Sequence, residues 1–384
     1  MPADAPPNPT TPRTAAEFFA GMGLVRRALE SLDSPFKTLY ANDIDPLKHR
    51  LYAASFPDAS DVLDTRDIHH VRASDIPPCD LWSASFPCTD LSLAGARAGI
   101  HQGQSAAVWQ IFRLLNETHA AHRPRWLLFE NVLGLLTSAQ GADFLALVRA
   151  INDAGYAVDP LLVDAAWFTA QSRPRLYLLC DRIDVRTPPA LVEEKPHAAR
   201  NPRITAFQRA HPEHAWSRPK LEELHPRADS LQSTLEDPPQ DSDRWWTKPR
   251  ADYFVAQLHP AHRVTAQGMI RGPEISHATA YRRVRPVGPQ GAKRSVAELR
   301  TDGRAGCLRL PKGGSAKQIV FRAGLGQYAV RHMTPKEAAR LQGVEDDALF
   351  GEGSPFTDNE LLAGLGDAVC VPAAAWAAEM LTSR

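Results

Sequence analysis

Cys88 follows Pro87 directly, at the end of the apolar run in "DLWSASFPC". A small, polar, Gly-punctuated stretch comes after it, "TDLSLAGARAGIHQGQ". Proline fixes the backbone just before the thiol. If the run is a strand, the thiol stands at a carboxyl end, where ligands gather in open α/β sheets. The stretch behind it reads as a loop able to close. The chemistry this suggests is that of a reactive thiol; the competing reading is a buried cysteine that only packs. Glu130 ends the next apolar run, "RWLLFE". A partly buried carboxylate beside the thiol gives or shares a proton. In "FTAQSRPRLYLLC", Arg173 and Arg175 stand two apart at the start of another apolar run. Strand alternation puts both on one face. Guanidiniums there hold a carbonyl oxygen or organise the carboxylate. Surface ion pairs are the alternative for these charged groups.

A second constellation lies upstream. In "EFFAGMGL", Gly21 and Gly23 allow a tight turn between a strand and a helix, with close backbone approach and helix amides facing a ligand. The full GxGxxG fingerprint is absent, so a plain strand-to-helix turn fits equally. Asp43 lies 22 residues after Gly21, near the spacing at which an acid takes ribose hydroxyls. Asp67, in "TRDIHH", is placed to accept from an adenine amino group. Together they favour an adenosine-containing cofactor over N-caps or solvated loop carboxylates.

These residues need elements to position them. Apolar runs read as strands at "TAAEFF", "FKTLYAN", "CDLWSAS", "RWLLFENV", "YAVDPLLVDA" and "RLYLLC". Helix-like stretches at Gly23–Leu32, Pro46–Phe56, Ala106–His119 and Ala142–Ala154 separate them. That alternation predicts a parallel sheet with helices on both faces. Prolines cluster between residues 185 and 260 and periodicity fades there. Order returns with "MTPKEAARLQG", where Thr334 and Glu337 make a capping-box pattern and Gly343 a stop. "GDAVCVPAAAWAAEML" reads as a final helix. The expected division is a lead-in over 1–13, a catalytic and cofactor domain over 14–184, a linker and recognition domain over 185–326, and a return to the first domain over 327–384.

Lys plus Arg and Asp plus Glu both total 44, so no global charge points to a polyanion. Locally the balance differs. Residues 281–322 hold eleven Lys or Arg against Glu298 and Asp302. Such a concentration is a footprint for phosphates, or else a solvated arginine-rich surface. Five scattered cysteines without metal-ligand spacing suit free thiols in a reducing cytoplasm. No apolar run reads as a membrane span, and no metal is expected.

In this order the motifs resemble those of the DNA cytosine-C5 methyltransferases. "FAGMG", "FPCTDLSLAG", "ENV", "QSRPR", "RHMTPKEAARLQGV" and "GLGDAVCVP" match six family motifs over residues 14–182 and 327–384. The resemblance implies an α/β fold: a Rossmann-like S-adenosylmethionine-dependent methyltransferase domain with a mostly parallel sheet, plus a smaller irregular target-recognition domain. It implies Cys88 as the nucleophile adding to cytosine C6, Glu130 bonding N3 and the exocyclic amine, Arg173 polarising O2, and Arg175 organising the pocket. Phe19, Gly21, Gly23, Asp43, Ile44, Asp67, Ile68, Pro87, Asp367 and Ala368 would line the site of S-adenosylmethionine. Double-stranded DNA would meet Arg282, Arg283, Arg285, Lys293, Arg294, Arg304, Arg309, Lys312, Gly313, Gly314, Ser315 and Lys317. The target base must flip out of the stack, with Thr89–Gln104 closing behind it. A cognate restriction endonuclease is the functional partner by analogy, in the cytoplasm of a bacterium or phage. Two other readings stand beside this: a transfer-RNA cytosine methyltransferase, and a catalytically inactive DNA-binding or regulatory relative. The chain departs from the family pattern at Leu24, Ile44, Phe86, Thr89 and Asp367, where a second glycine, an aromatic residue, proline, glutamine and asparagine are usual.

Overall fold

The computed structural model describes residues 12–87, 99–100, 103–183, 197–225, 230–287, 292–311, 316–344, 347–351 and 353–383. The chain divides into two compact units. The first comprises Met1–Val163, Pro174–Leu224 and Val371–Arg384, and the second Asp164–Arg173 and His225–Cys370. This differs from the division expected above. Residues 197–224 group with the first unit because Val158 bridges Trp216 and Ala199 accepts from the Leu162 N–H (2.8 Å). Residues 327–332 pair with 319–324 in the second unit's sheet.

Seven strands build the first unit: β1 (Arg13–Phe18), β2 (Phe36–Asn42), β3 (Leu63–Asp64), β4 (Leu81–Ala84), β5 (Trp126–Val132), β6 (Tyr156–Asp164) and β7 (Pro174–Arg182). Their order is β3-β2-β1-β4-β5-β7-β6. Every residue of β4 is buried, as are Trp126–Phe129 of β5; strands covered on both faces read as unbroken apolar runs. The helices are α1 (Leu24–Glu30), α2 (Pro46–Ser55), α3 (Ala59–Val62), α4 (Val108–Glu117), α5 (Ala142–Asp153), α6 (Pro202–Ala210) and, from the far end of the chain, α12 (Val371–Thr382). Asp45 caps α2, accepting from Leu47 N–H, with Pro46 at its first position. The helix α12 packs on α1, β5 and β7.

Two features place the functional residues. β1 pairs with both β2 and β4 in parallel, so the winding reverses there and opens a crevice at the strands' carboxyl ends. β7 runs antiparallel to β5, so the sheet is mostly rather than wholly parallel. Its beginning therefore lies at the edge where β5 ends.

The second unit is more regular than the fading periodicity suggested. β8 (Ser276–Val287), β9 (Ala292–Arg300), β10 (Ile319–Gly324) and β11 (Gln327–His332) form an antiparallel sheet in the order β11-β10-β8-β9. Its core joins Ala251 and Phe254 of α8 (Lys248–Ala256) and Ala266 of α9 (Pro260–Arg271) to Ala278, Ala280, Ile319 and Phe321. α7 (Leu231–Thr234), α10 (Pro335–Leu341) and α11 (Asp358–Asp367) complete it. The capping box at Thr334 and Glu337 is present. Among the described residues, Asp358–Thr382 is long and apolar enough to cross a membrane, but 61% of its apolar window is buried inside the protein.

Candidate active site

Glu130 and Arg175 meet across β5 and β7. The register sets Glu130 opposite Tyr177 and Val132 opposite Arg175, so Glu130 and Arg175 are diagonal neighbours on one face. Arg175 Nε lies 3.0 Å from Glu130 Oε1, and the side chains are only 15% and 12% exposed. A charge-assisted contact in so shielded a place fixes both groups. Asn131, between them on the strand, turns to the other face and is 3% exposed. Its Nδ2 donates to the Phe86 carbonyl (3.0 Å), and its Oδ1 accepts the Val132 N–H (2.8 Å). Asn131 thus pins the segment after β4 that leads through Pro87 to Cys88. Sequence reasoning quoted Asn131 within "ENV" without giving it a role. Cys88 itself, and most of the stretch from Thr89 to Gln104, lie outside the described residues.

Arg173 does something other than what strand alternation suggested. Pro174 opens β7, so Arg173 precedes the strand and alternation does not apply to it. It is 2% exposed. Its Nη1 donates to Leu308 O (2.9 Å), and its Nη2 to Ala368 O (2.6 Å) and Gly366 O (3.2 Å). Its N–H donates to Asp164 Oδ1 at 2.6 Å. Gln171, fully buried, donates to Leu341 O (2.8 Å) and accepts from Leu308 N–H (2.9 Å). Arg173 and Gln171 are therefore structural groups of the second unit. The role of polarising the base, expected of Arg173, passes to Arg175 as a candidate, because Arg173's Nη donors are spent on backbone carbonyls.

The turn after β1 carries left-handed backbone at Phe19 (φ 55), Gly21 (φ 59) and Gly23 (φ 83). At Gly21 a Cβ would meet nothing within 4 Å, so the backbone lies open to a ligand. At Gly23 a Cβ would fall 2.3 Å from the Phe56 ring, so that glycine serves packing. Asp43 Oδ2 accepts the Gly21 N–H (2.8 Å) and Oδ1 the Asp45 N–H (2.9 Å). The carboxylate is thereby aimed, with lone pairs left for hydroxyl donors. Ile44 beside it is 59% exposed, an unusual state for isoleucine. Asp67 caps a short 3₁₀ turn, its Oδ1 accepting the His69 N–H (3.0 Å); that bond and the His69 side chain hold its carboxyl below the usual range. The N-cap alternative thus accounts for Asp67. Ile68 is 4% exposed in the hydrophobic core, which removes its side chain from the candidate lining. Asp367 ends α11 in the second unit, and the Ala368 carbonyl accepts from Arg173.

Several buried acids carry no sequence expectation, Asp143, Asp159 and Asp181 among them, and one lies in the first strand. Glu17, in β1, is 1% exposed. Burial pushes its carboxyl up to about 8, outweighing the opposing pull of Arg26. The only sequence signal was a carboxylate inside an otherwise apolar strand.

The arginine-rich stretch divides. Arg285 Nε sits 2.6 Å and Arg283 Nε 3.4 Å from Glu298 carboxylate oxygens, so both arginines expected to meet DNA already have an acidic partner. Arg300 pairs with Asp302 (2.8 Å) and Arg322 with Asp237 (3.2 Å). Lys293, Arg294, Arg304 and Arg309 are exposed. Lys312, Gly313, Gly314 and Ser315 lie outside the described residues. Elsewhere, among the described residues, His211, Glu213 and His214 bring potential metal-ligand atoms within 4.8 Å of one another, on the turn after α6.

A switch-point crevice and a half-buried Glu–Arg pair at the carboxyl end of β5 suit a ligand-binding α/β enzyme, and similarity to known proteins narrows this to a family. The family model described as C-5 cytosine-specific DNA methylase matches residues 14–383, and the chain belongs to that family. Its methyl donor is of the S-adenosylmethionine type. Curated relatives include the type II methyltransferase M2.BsuMI of Bacillus subtilis (strain 168), 35% identical over 163 residues, which are 42% of this chain and 40% of that protein. M.BanI of Aneurinibacillus aneurinilyticus is 25% identical over 63% of this chain and 51% of its own length. The matches thus span about half or less of these relatives. Among solved structures, the Entamoeba histolytica methyltransferase EhMeth has a TM-score of 0.60 at 15% identity, covering 97% of this chain and 99% of that one. The S. pombe Dnmt2 methyltransferase has a TM-score of 0.59 at 16% identity, covering 97% and 98%. At such identity the likeness is one of fold.

Proposed function

We propose that the protein is a sequence-specific DNA cytosine-C5 methyltransferase, acting as a modification enzyme of the kind found beside a restriction endonuclease. The observation that carries this is the half-buried Glu130–Arg175 pair on β5 and β7, with Asn131 beside it holding the Phe86 carbonyl just before Pro87. The names of the bacterial relatives, type II methyltransferases, favour DNA as the substrate and a restriction partner.

In this reading the Cys88 thiolate adds to C6 of a flipped cytosine. The C5–C6 electron pair shifts toward C5, making it nucleophilic. Glu130 bonds N3 and the exocyclic amine, and Arg175 faces O2, so the charge arriving on the ring meets a proton donor and a cation. S-adenosylmethionine supplies an electrophilic methyl group. The open backbone at Gly21, the aimed carboxylate of Asp43 and the exposed face of Ile44 fit its nucleoside, with Phe19 and Gly23 framing the turn and Pro87 a further candidate of the same unit. Once methylated, C5 loses its proton and the sulfur departs with its electron pair, restoring the aromatic ring.

The test is a duplex carrying 5-fluorocytosine, in which the C5 proton is replaced and the adduct cannot resolve. A covalent complex mapped to Cys88, lost in Cys88→Ser while cofactor binding persists, is the expected result. Bisulfite sequencing of DNA from expressing cells reports activity and target sequence together. Unmethylated DNA, or an adduct at another residue, overturns the assignment.

A further inference from the structure

In the second unit, Ala280, Ile319 and His332 form one row across β8, β10 and β11. Ala280 and Ile319 face the core shared with α8, so His332 lies on that same side. Arg282 lies two residues beyond Ala280 on β8, on that same face and one repeat, roughly 7 Å, along the strand, and Lys317 lies in the bend just before β10, near enough to act on the His332 imidazole. From α8, Arg250 reaches in: its Nη2 lies 3.4 Å from His332 Nε2, and its guanidinium stacks 4.1 Å above the Trp246 ring. Trp246 meets the His332 ring edge-on at 4.9 Å. Three cations from three separate segments thus converge on one imidazole. Burial together with Lys317, Arg250 and Arg282 pushes that imidazole down to about 4, so it is neutral at physiological pH.

Among the described residues, none of these three cations forms an ion pair with an acid. Their neighbours Arg283, Arg285, Arg300 and Arg322 all do. Arg282 Nε is shielded from solvent with no acceptor among the described residues. A fold that gathers three positive charges without a counter-charge loses stability by repulsion unless an anion arrives from outside. Trp246 and the neutral His332 form the walls, and Arg250 is already oriented by both.

We propose that Arg250, Arg282 and Lys317 form a seat for a backbone phosphate of duplex DNA, and that the acid-paired Arg283 and Arg285 take no phosphate. This rests on the reading of the substrate as DNA. Arg250, Trp246 and His332 lie outside the basic stretch that the sequence singled out.

Each phosphate neutralised contributes about −0.9 to the slope of log K against log salt. The experiment measures binding of the full-length protein to a mixed-sequence fluorescent duplex by anisotropy across a salt series. The triple variant Arg250→Ala, Arg282→Ala, Lys317→Ala is expected to flatten the slope by about 1. Arg283→Ala with Arg285→Ala should leave it unchanged. Arg250→Glu, at an exposed position, flattens it without disturbing the core and stands in if the triple variant does not fold. Methyl incorporation into phage DNA by the wild type is followed in parallel. If the wild type methylates DNA and the slopes of triple variant, Arg250→Glu and wild type coincide, the seat alone is wrong. A control pair that flattens as much as the triple variant also overturns it. A wild type that neither binds nor methylates duplex DNA overturns both the seat and the reading it rests on.

Discussion

At the scale of single residues, Glu17 offers the clearest pH signature. Its carboxyl titrates at about 8 in the folded protein against an ordinary 4.5. Across that interval the folded state holds a proton that the unfolded chain has released. Stability from this group is therefore complete below about pH 4.5 and is lost as pH rises through 8. Glu17→Gln, which mimics the protonated acid, should match the wild type near pH 5 and exceed it in Tm by several degrees at pH 8.5. Parallel melting curves at the two pH values would sink the idea if the gap stayed constant. The acid was legible in the sequence only as an anomaly. Apolar neighbours on both sides marked it as buried, but not as lacking a compensating partner.

At the scale of elements, the direction of β7 decides which arginine stands beside Glu130. Because β7 opposes β5, its first residues stand beside the last residues of β5, and Arg175 meets Glu130. Arg175→Lys keeps the charge but loses the planar fork. It is expected to lower kcat about a hundredfold with cofactor affinity unchanged, measured by methyl incorporation and calorimetry. A lower Tm with normal kcat would instead make Arg175 a structural group. The strands themselves were readable: "FKTLYAN" coincides with β2, where an exposed Lys37 stands between buried neighbours, and "RWLLFENV" with β5 but for its first residue, where burial of Trp126–Phe129 leaves an unbroken apolar run. Direction was not readable, since hydrophobic periodicity has no sense along the chain. β3 escaped notice at two residues. β8 escaped because its core-facing residues, Ala278 and Ala280, are small and alternate with the polar His277 and Thr279, and the run then turns charged in "YRRVR".

At the scale of the whole molecule, the second unit is built from two pieces, Asp164–Arg173 and His225–Cys370. The short piece supplies the partners of Leu308 N–H and of the Leu308, Leu341 and Gly366 carbonyls through Gln171 and Arg173. Leaving a buried backbone group unmatched costs about 1–3 kcal/mol. A fragment of residues 225–370 is therefore expected to lack cooperative unfolding and dispersed amide resonances. A cooperative transition in urea would show that the ten-residue piece is dispensable. The motif "QSRPR" announced this segment in the sequence, but its chemistry was assigned to the reaction because spacing alone does not reveal which carbonyls a guanidinium will find.

On the proposed reading, with the second unit as the recognition part, that dependence bears on how such an enzyme would acquire a new target sequence. Recombination that exchanges only the long contiguous block between relatives would separate Gln171 and Arg173 from the carbonyls they evolved against. Inheritance of a working chimera requires that both stretches travel together, or that the receiving chain already matches the donor along those ten residues.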